Sequence, residues 1–260
     1  MNIKLLFIML SIFLVCSCGG GQATKVDQSK LLEDQKALAM ASIKRGNFQQ
    51  GIKDIEAAEK IDPDDGEIYL IKGIIYFGLK DNSLAEQNYK KALSLDPKLT
   101  VANFNLCGFY IKVTKYDDAI TYCEKALSDP VYDARAEAFT TLGIAYFKKG
   151  DYEKARENYD KALQVNPSLV YTHNEMGKLY MSLGRENEAI DEFLYAIQGY
   201  KYYDEAYFNL GLAYLKKGET FNACASFRKV IEISPNSLLA LNANSYLNKI
   251  CKDSNIRYYQ

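Results

Sequence analysis

The chain has 260 residues, of which 48% are hydrophobic, so it is long enough to bury a sizeable core. Its 32 Lys and Arg residues are balanced by 33 Asp and Glu residues. This balance argues against a nucleic-acid-binding protein, which usually presents a basic stripe, and no nucleic-acid partner is expected.

The first residues have the organisation of a secretory leader. Lys4 supplies a positive charge, and residues 5–15 are apolar except for Ser11. The apolar run is too short to span a bilayer comfortably as a permanent helix. We therefore expect a leader that is removed on export.

The end of this leader, Val15-Cys16-Ser17-Cys18, resembles a bacterial lipobox, in which a small residue precedes the cysteine that begins the mature protein. Ser17 is small and Val15 is not, so we predict lipidation at Cys18 and a signal peptide over residues 1–17. The resemblance implies several acyl chains, palmitate among them, and several chains hold a protein on a membrane where one does not. The alternatives are an ordinary signal peptide, or an uncleaved anchor with two incidental cysteines.

The residues after Cys18 predict where the protein is delivered and how it is attached. Gly19, rather than Asp, follows the cysteine, which in the bacterial lipoprotein sorting rule implies the outer membrane. The predicted location is therefore the periplasmic face of the bacterial outer membrane. Residues 18–30 are predicted to form a flexible tether, and residues 31–252 the folded domain.

Six copies of one pattern follow, each with two small residues at fixed positions. The first small residues are Ala39, Gly73, Cys107, Gly143, Gly177 and Gly211, which are spaced by 34, 34, 36, 34 and 34 residues. The second are Gly51, Ala85, Ala119, Ala155, Ala189 and Ala223. The pattern resembles the tetratricopeptide repeat, a pair of antiparallel helices A and B. The resemblance implies an all-α fold, a right-handed α-solenoid of about six repeats plus a C-terminal capping helix.

The prolines support this register. All five lie just after a helix B, where a missing N–H ends a helix at little cost. They are Pro63, Pro97, Pro130, Pro167 and Pro235, and repeat five has Lys201 in their place. Residues 237–252 are predicted to form the capping helix, which must cover the apolar face of the last repeat. Residues 253–260 are predicted to be a loose tail.

Positions of helix A that face the concave side of such a solenoid are mostly apolar in this chain. Contiguous exposed apolar surface usually marks a binding site, so the pattern predicts a groove for a protein or peptide partner. The predicted groove residues are Leu70, Ile74, Phe77, Phe104, Ile111, Ile144, Phe147, Tyr171, Met181, Phe208, Leu212 and Leu215. The alternative interpretation is that tight winding buries these side chains between neighbouring repeats.

Four cysteines lie outside the leader. Cys107 and Cys123 occupy positions that face each other between the two helices of repeat three, so a disulfide is plausible in an exported protein. Cys224 and Cys251 could likewise join repeat six to the cap, although their facing is less certain. The alternative for each pair is two small buried thiols.

Nothing in the sequence predicts catalysis, and we expect a protein that is not an enzyme. His173, the only histidine, occupies a bulky packing position, and no nucleophile, phosphate loop or carboxylate pair stands out. Residues 62–67 are similar to a calcium loop, but Gly66 falls one place early, which favours an ordinary inter-repeat turn. No catalytic residue, metal site or cofactor is predicted.

One junction points to a narrower family. Residues 125–132 read Lys-Ala-Leu-Ser-Asp-Pro-Val-Tyr and end repeat three, where the spacing lengthens to 36 residues. With the lipobox, this junction resembles the pilotins, the outer-membrane lipoproteins of type IV pilus biogenesis. Pilotins can carry cysteines that would align near Tyr110 and Ala145, and the absence of cysteine there puts any family disulfide in doubt.

The pilotin resemblance implies a carrier function. Such a protein holds a secretin subunit in its groove and aids the localisation and multimerisation of that subunit at the outer membrane. The alternative function is a generic envelope tetratricopeptide-repeat lipoprotein that scaffolds another protein complex.

Overall fold

A computed structural model describes the backbone of residues 20–251 and the side chains of residues 27–251. This part of the chain forms thirteen α-helices and no strand, which confirms the all-α prediction. The helices are α1 (Gly20–Lys44), α2 (Phe48–Ile61), α3 (Gly66–Gly78), α4 (Asn82–Leu95), α5 (Thr100–Lys112), α6 (Tyr116–Leu127), α7 (Arg135–Lys149), α8 (Tyr152–Val165), α9 (Val170–Ser182), α10 (Glu186–Gly199), α11 (Asp204–Lys216), α12 (Thr220–Ile233) and α13 (Leu238–Ile250).

Helices α1 to α12 form six consecutive pairs, and α13 follows the last pair. Each odd-numbered helix packs on the even-numbered helix after it, and the short connections make the two antiparallel. The odd-numbered helices also contact one another in succession from α1 to α11, whereas no two even-numbered helices of the described part are in contact. The odd-numbered helices therefore line the inner, concave face of a solenoid.

The repeated small residues allow each pair to pack closely. A Cβ atom added to Gly143 in α7 would lie 2.5 Å from the Tyr159 ring of α8, and one added to Gly177 would lie 2.5 Å from the Phe193 ring. Both rings are fully buried. The glycine therefore sets the separation of the two helices, because a ring from helix B occupies the space where a side chain would lie.

The turns inside the pairs have one common backbone geometry. Four of them use a glycine with positive φ after helix A: Gly46, Gly150, Gly184 and Gly218. Lys80 and Thr114 occupy the equivalent positions of repeats two and three, with φ of 64° and 62°. This conformation is strained for residues other than glycine, and most for the β-branched Thr114.

The 36-residue interval between repeats three and four corresponds to a longer connection between α6 and α7. This connection covers residues 128–134, whereas α2 and α3 are joined by residues 62–65 only. Arg135 holds the longer segment in place, since its Nη1 donates hydrogen bonds to the carbonyl oxygens of Leu127 (3.0 Å) and Asp129 (2.7 Å).

The first helix begins earlier than the sequence suggested. Residues 18–30 were predicted as a flexible tether, but the backbone is helical from Gly20 onwards, in a stretch with no proline to stop it. The side chains of residues 27–31 are exposed, and packing against the core begins at Leu32. The predicted signal peptide (1–17), Cys18 and the predicted tail (253–260) lie outside the described residues. Within the described part, no helix combines the length and apolar character needed to cross a membrane.

Helix α13 lies at the position predicted for the cap. Ser237 begins it, because its Oγ accepts a hydrogen bond from the Ala240 backbone N–H (3.0 Å). The Tyr246 ring stacks on Phe227 of α12 with ring centroids 5.0 Å apart. The cap thus covers the apolar end of the sixth pair.

Candidate partner-binding groove

The twelve predicted groove residues differ in how much of each side chain is exposed to solvent. Leu70 and Ile144 are buried, Tyr171 is 43% exposed, and the other nine are partly buried. Ile111, Ile144 and Tyr171 together line one cavity on the concave face.

Two of the other predicted groove residues pack against neighbouring helix pairs or the cap. The Phe77 ring lies edge-on to Phe109 of the next repeat, with centroids 5.7 Å apart. Phe208 packs in the same way against Tyr246 of the cap, with centroids 6.0 Å apart. Winding brings successive odd-numbered helices into contact, so neighbouring repeats cover part of the predicted apolar groove.

The cavity has a volume of about 440 Å³ and is bounded by four odd-numbered helices. Its lining comprises Gly108, Ile111 and Lys112 of α5, Thr141, Ile144 and Lys148 of α7, Tyr171, Glu175 and Lys178 of α9, and Glu205 of α11. We name this set the central cavity. Its lining combines apolar and charged side chains, and convergent polar groups in a concave site can fix the orientation of a ligand.

One wall of the central cavity is a polar network. The Glu175 side chain is buried, and its Oε1 lies 2.6 Å from Lys178 Nζ, which also lies 3.3 Å from Glu205 Oε1. Asn174 is fully buried behind it, donates a hydrogen bond to Glu205 (3.4 Å) and accepts one from Asn209 (3.0 Å). Burial raises the pKa of the Glu175 carboxyl, and the Lys178 charge opposes that rise. The network fixes Lys178, so its charge is already matched within the protein.

Two other lysines of the central cavity lie outside this network, although the Lys148 charge also acts to lower the pKa of the Glu175 carboxyl. Lys112 and Lys148 are exposed and form no ion pair or hydrogen bond within the described residues. The Lys148 Nζ lies 5.9 Å from the centre of the Phe147 ring. Both lysines lie in the last turn of their helices, where the helix dipole favours a positive charge.

The cysteines indicated by the sequence are bonded in pairs. Cys107 and Cys123 join α5 to α6 with their Cα atoms 5.1 Å apart, and Cys224 and Cys251 join α12 to the end of the cap with 6.4 Å between Cα atoms. The first bridge holds helix α5, which provides one wall of the central cavity.

His173 has a structural role at the outer edge of α9. Its Nδ1 lies 2.6 Å from Glu192 Oε2, and its Nε2 lies 3.1 Å from the carbonyl oxygen of Pro167. Both neighbours are acceptors, so both ring nitrogens donate when the imidazole is protonated. The hydrogen bond to Glu192 raises the pKa of His173, although partial burial opposes the rise.

Three carboxylates near the start of the described residues form ion pairs with a single lysine side chain. Glu33, Asp65 and Glu67 surround the Lys36 Nζ at 2.7, 2.9 and 2.7 Å. The sequence favours an ordinary inter-repeat turn before α3 rather than a calcium loop. In the structure this turn forms part of an ion-pair network.

Several cavity residues were not identified from the sequence. Gly108 was missed because glycine contributes no side chain, and Thr141 and Glu175 because their helix position was not expected to face the groove. The spacing of Glu175 and Lys178, one turn apart on a helix, is the signal that could have linked them.

Comparison with protein families shows repeats at three places in the chain. The family described as TPR repeat matches residues 143–184, and the family described as Tetratricopeptide repeat matches residues 66–99 and 204–237. The segments 66–99 and 204–237 contain the helix pairs α3–α4 and α11–α12. The segment 143–184 contains the second half of α7 and all of α8 and α9.

Two related proteins illustrate what the sequence is similar to. The type IV pilus assembly protein PilF of Pseudomonas aeruginosa is 25% identical over 177 residues, which cover 65% of this chain and 70% of PilF. Anaphase-promoting complex subunit 3 of Schizosaccharomyces pombe is 22% identical over 182 residues, which cover 70% of this chain but 27% of that subunit.

Two solved structures share the fold. PilW, a type IV pilus biogenesis factor, superimposes with a TM-score of 0.75 at 22% identity and covers 82% of this chain and 98% of PilW. Pseudomonas aeruginosa PilF superimposes with a TM-score of 0.72 at 20% identity and covers 84% of this chain and 99% of PilF. Both likenesses extend over nearly the whole of PilW and PilF.

Proposed function

We propose that this chain, which belongs to the tetratricopeptide-repeat superfamily, acts in type IV pilus biogenesis as a pilotin. In this proposal it is a lipid-anchored carrier that aids the localisation and multimerisation of a secretin at the outer membrane. The observation that carries the proposal is the similarity to PilF, which spans 70% of that pilus assembly protein rather than a single shared repeat.

The central cavity supports a carrier function. It lies on the concave face, has both apolar and charged walls, and is large enough at about 440 Å³ to accept side chains of a visiting polypeptide. The rigid helices around it are joined by short connections, so little ordering is needed when a partner binds.

The sequence supports the membrane part of the proposal. The lipobox-like segment at Cys18 and the glycine after it favour an acylated N-terminus in the outer membrane, facing the periplasm. The two disulfides of the repeat domain are compatible with that compartment, because the periplasm is oxidising. Residues 27–31 of α1 are exposed and packing begins at Leu32, so in this proposal the packed repeats stand away from the membrane.

Deletion of the gene tests the proposal directly. We expect the deletion strain to grow normally but to lose secretin multimers that resist detergent, as measured by immunoblot of the outer-membrane fraction. Intact multimers in that strain would contradict the pilotin role and favour a scaffold for another envelope complex.

Complementation with single variants locates the contact. We expect Tyr171→Glu to fold normally and fail to restore the multimers, because Tyr171 is 43% exposed and the new charge lies in the central cavity beside Glu175 and Glu205. Tyr202→Glu is the matched control, since Tyr202 is 69% exposed and lies outside the central cavity. Equal restoration by both variants would move the contact to another surface.

A further inference from the structure

The third repeat lacks an aromatic side chain that most other repeats have. The position four residues before the first small residue of each repeat carries a ring in repeats two, four, five and six, namely Tyr69, Phe139, His173 and Tyr207. Repeat three has Asn103 at this position. Because interiors are closely packed, the smaller side chain leaves room that a ring fills in the other repeats.

A pocket of about 350 Å³ lies beside Asn103, at the edge of the solenoid where the connections between repeats run. Its walls include Pro97, Thr100 and Asn103 around the start of α5, and Lys125, Ser128 and Asp129 around the end of α6. We name this set the junction pocket. It shares no lining residue with the central cavity, so a ligand bound there occupies a separate site.

Two polar groups of the junction pocket have no partner within the described residues. The Asn103 side chain is only 7% exposed, and its amide forms no hydrogen bond there. The carbonyl oxygen of Pro97 likewise accepts no hydrogen bond. Asp129 differs, since its carboxylate accepts hydrogen bonds from Thr100 Oγ1 (2.8 Å) and the Val131 N–H (3.1 Å). Buried polar groups are normally hydrogen-bonded, so Asn103 and Pro97 are available to a ligand.

Repeats two and five show how a ring uses the equivalent carbonyl oxygen. The Tyr69 hydroxyl donates a hydrogen bond to the carbonyl oxygen of Pro63 (3.0 Å). The His173 Nε2 lies 3.1 Å from the carbonyl oxygen of Pro167. Each proline stands six residues before its ring, as Pro97 stands six residues before Asn103. Repeat three therefore keeps the acceptor and lacks the donor.

A lysine beside the ring is a second shared feature of this position. The Lys91 Nζ lies 5.6 Å from the centre of the Tyr69 ring. Lys125 is its counterpart in repeat three, since each lysine stands six residues after the second small residue of its repeat. The Lys125 Nζ lies 4.7 Å from the centre of the Tyr122 ring and forms no ion pair within the described residues. Its ammonium group is thus available to the face of another ring.

From these observations we infer that the junction pocket binds the side chain of a tyrosine from another polypeptide. The phenol ring takes the place that Tyr69 has in repeat two, its hydroxyl donates to the Pro97 carbonyl oxygen, and its face lies against Lys125. The Asn103 side-chain N–H donates to the phenol oxygen. Phenylalanine is a poorer ligand, because it leaves both buried polar groups unpaired. The site goes beyond the proposed function and does not depend on it.

Peptide titration of the full-length ¹⁵N-labelled protein in detergent tests the inference. The probes are acetylated pentapeptides with tyrosine, phenylalanine or serine between pairs of glycines, and free p-cresol is a fourth probe. The readout is the NMR shift of the Asn103 side-chain amide and of the Thr100 and Ser128 backbone amides. We expect the tyrosine peptide to bind about fivefold more tightly than the phenylalanine peptide, and the serine peptide to cause no shift.

Variants assign the binding to the junction pocket. Asn103→Tyr supplies the missing ring from the chain itself, so it is expected to abolish binding and to raise the thermal midpoint by about 2–4 °C. Lys125→Met keeps an aliphatic stem without the charge and is expected to weaken binding about threefold. Lys91→Met is the matched control and should leave binding unchanged, because Tyr69 already fills the equivalent space of repeat two.

Four results would overturn the inference. Equal affinity for the tyrosine and phenylalanine peptides would show that the hydroxyl is not recognised, and full binding to Asn103→Tyr would place the tyrosine on another surface. The absence of any shift at millimolar peptide would show that no side chain enters. Shifts with p-cresol alone would mean that the site takes a small phenol rather than a polypeptide. Secretin multimers are scored separately in the deletion strain, so the pilotin proposal and this inference can fail independently.

Discussion

At the residue scale, the structure explains why glycine recurs at one position of helix A. Gly143 faces the buried Tyr159 ring, and Gly108 faces open space, although both lie in the middle of an odd-numbered helix. The same substitution should therefore have opposite effects at these two glycines.

We expect Gly143→Ala to destabilise the protein by about 1–3 kcal/mol, because the added methyl group must displace a ring with no free space around it. Gly108→Ala is expected to stabilise the protein by up to about 1 kcal/mol, since alanine is the better helix former and the methyl group meets nothing. Urea denaturation measures both. Destabilisation of similar size at both positions would mean that helix packing does not distinguish them.

A second residue-scale prediction concerns pH. The pKa of His173 is raised from its ordinary value of 6.5 through the hydrogen bond to Glu192, so the protonated imidazole stabilises the fold. This contribution is complete below the unfolded pKa and is lost as the pH rises through the folded pKa. We expect the stability difference between wild type and His173→Gln to be larger at pH 6 than at pH 8.5.

Denaturant midpoints at the two pH values measure this difference. His173 is the only histidine, and its effect is isolated by comparing the two proteins at each pH. A difference that stays constant between pH 6 and pH 8.5 would show that the imidazole contributes by packing alone, for instance through its contact with Tyr195, whose ring centroid lies 5.5 Å away.

Among the helices, the two disulfides connect different parts of the solenoid. The bridge between Cys107 and Cys123 closes a loop of 16 residues inside one helix pair. The bridge between Cys224 and Cys251 closes a loop of 27 residues and ties the residue that follows α13 to α12. Each is expected to contribute about 3 kcal/mol if it acts through the unfolded chain.

Removal of the second bridge should release the cap selectively. In the Cys224→Ala/Cys251→Ala variant we expect amide hydrogen exchange in α13 to accelerate strongly, because only one face of this helix is packed, while α5 and α6 keep their protection. The Cys107→Ala/Cys123→Ala variant is the matched control and should affect α5 and α6 instead. Unchanged protection of α13 would mean that packing of Tyr246 and Leu247 alone holds the cap.

Most helix boundaries coincide with residues that favour the start or the end of a helix, with one exception. Prolines, the positive-φ glycines and capping side chains such as Asp81 and Asp151 mark where the helices end and begin. The start of α1 was not predictable in this way, because residues 20–31 carry no stop signal and no apolar periodicity. Lys80 and Thr114 show the reverse case, in which the fold imposes a turn geometry on residues that do not favour it.

At the scale of the whole molecule, the solenoid decides which apolar residues remain accessible. Phe77 and Phe104 would be chosen from the sequence as groove residues, but Phe77 packs on Phe109 and Phe104 lies 5.9 Å from the Tyr132 ring. A charged residue at either position would disturb packing as well as binding, and loss of partner binding would then be ambiguous. Tyr171 avoids this problem because it is exposed.

The amino-acid sequence was enough to predict the all-α architecture, the six helix pairs with their cap, and the positions at which the four cysteines of the repeat domain could pair. These features follow from short-range chemistry, namely small residues, prolines and apolar positions that recur every 34 residues, with one interval of 36. The packing of the repeats was needed to show that a cavity forms between four odd-numbered helices, and that Lys112 and Lys148 form no ion pair there within the described residues. The rotation between successive repeats sets these properties, and it depends on how side chains of neighbouring repeats pack together.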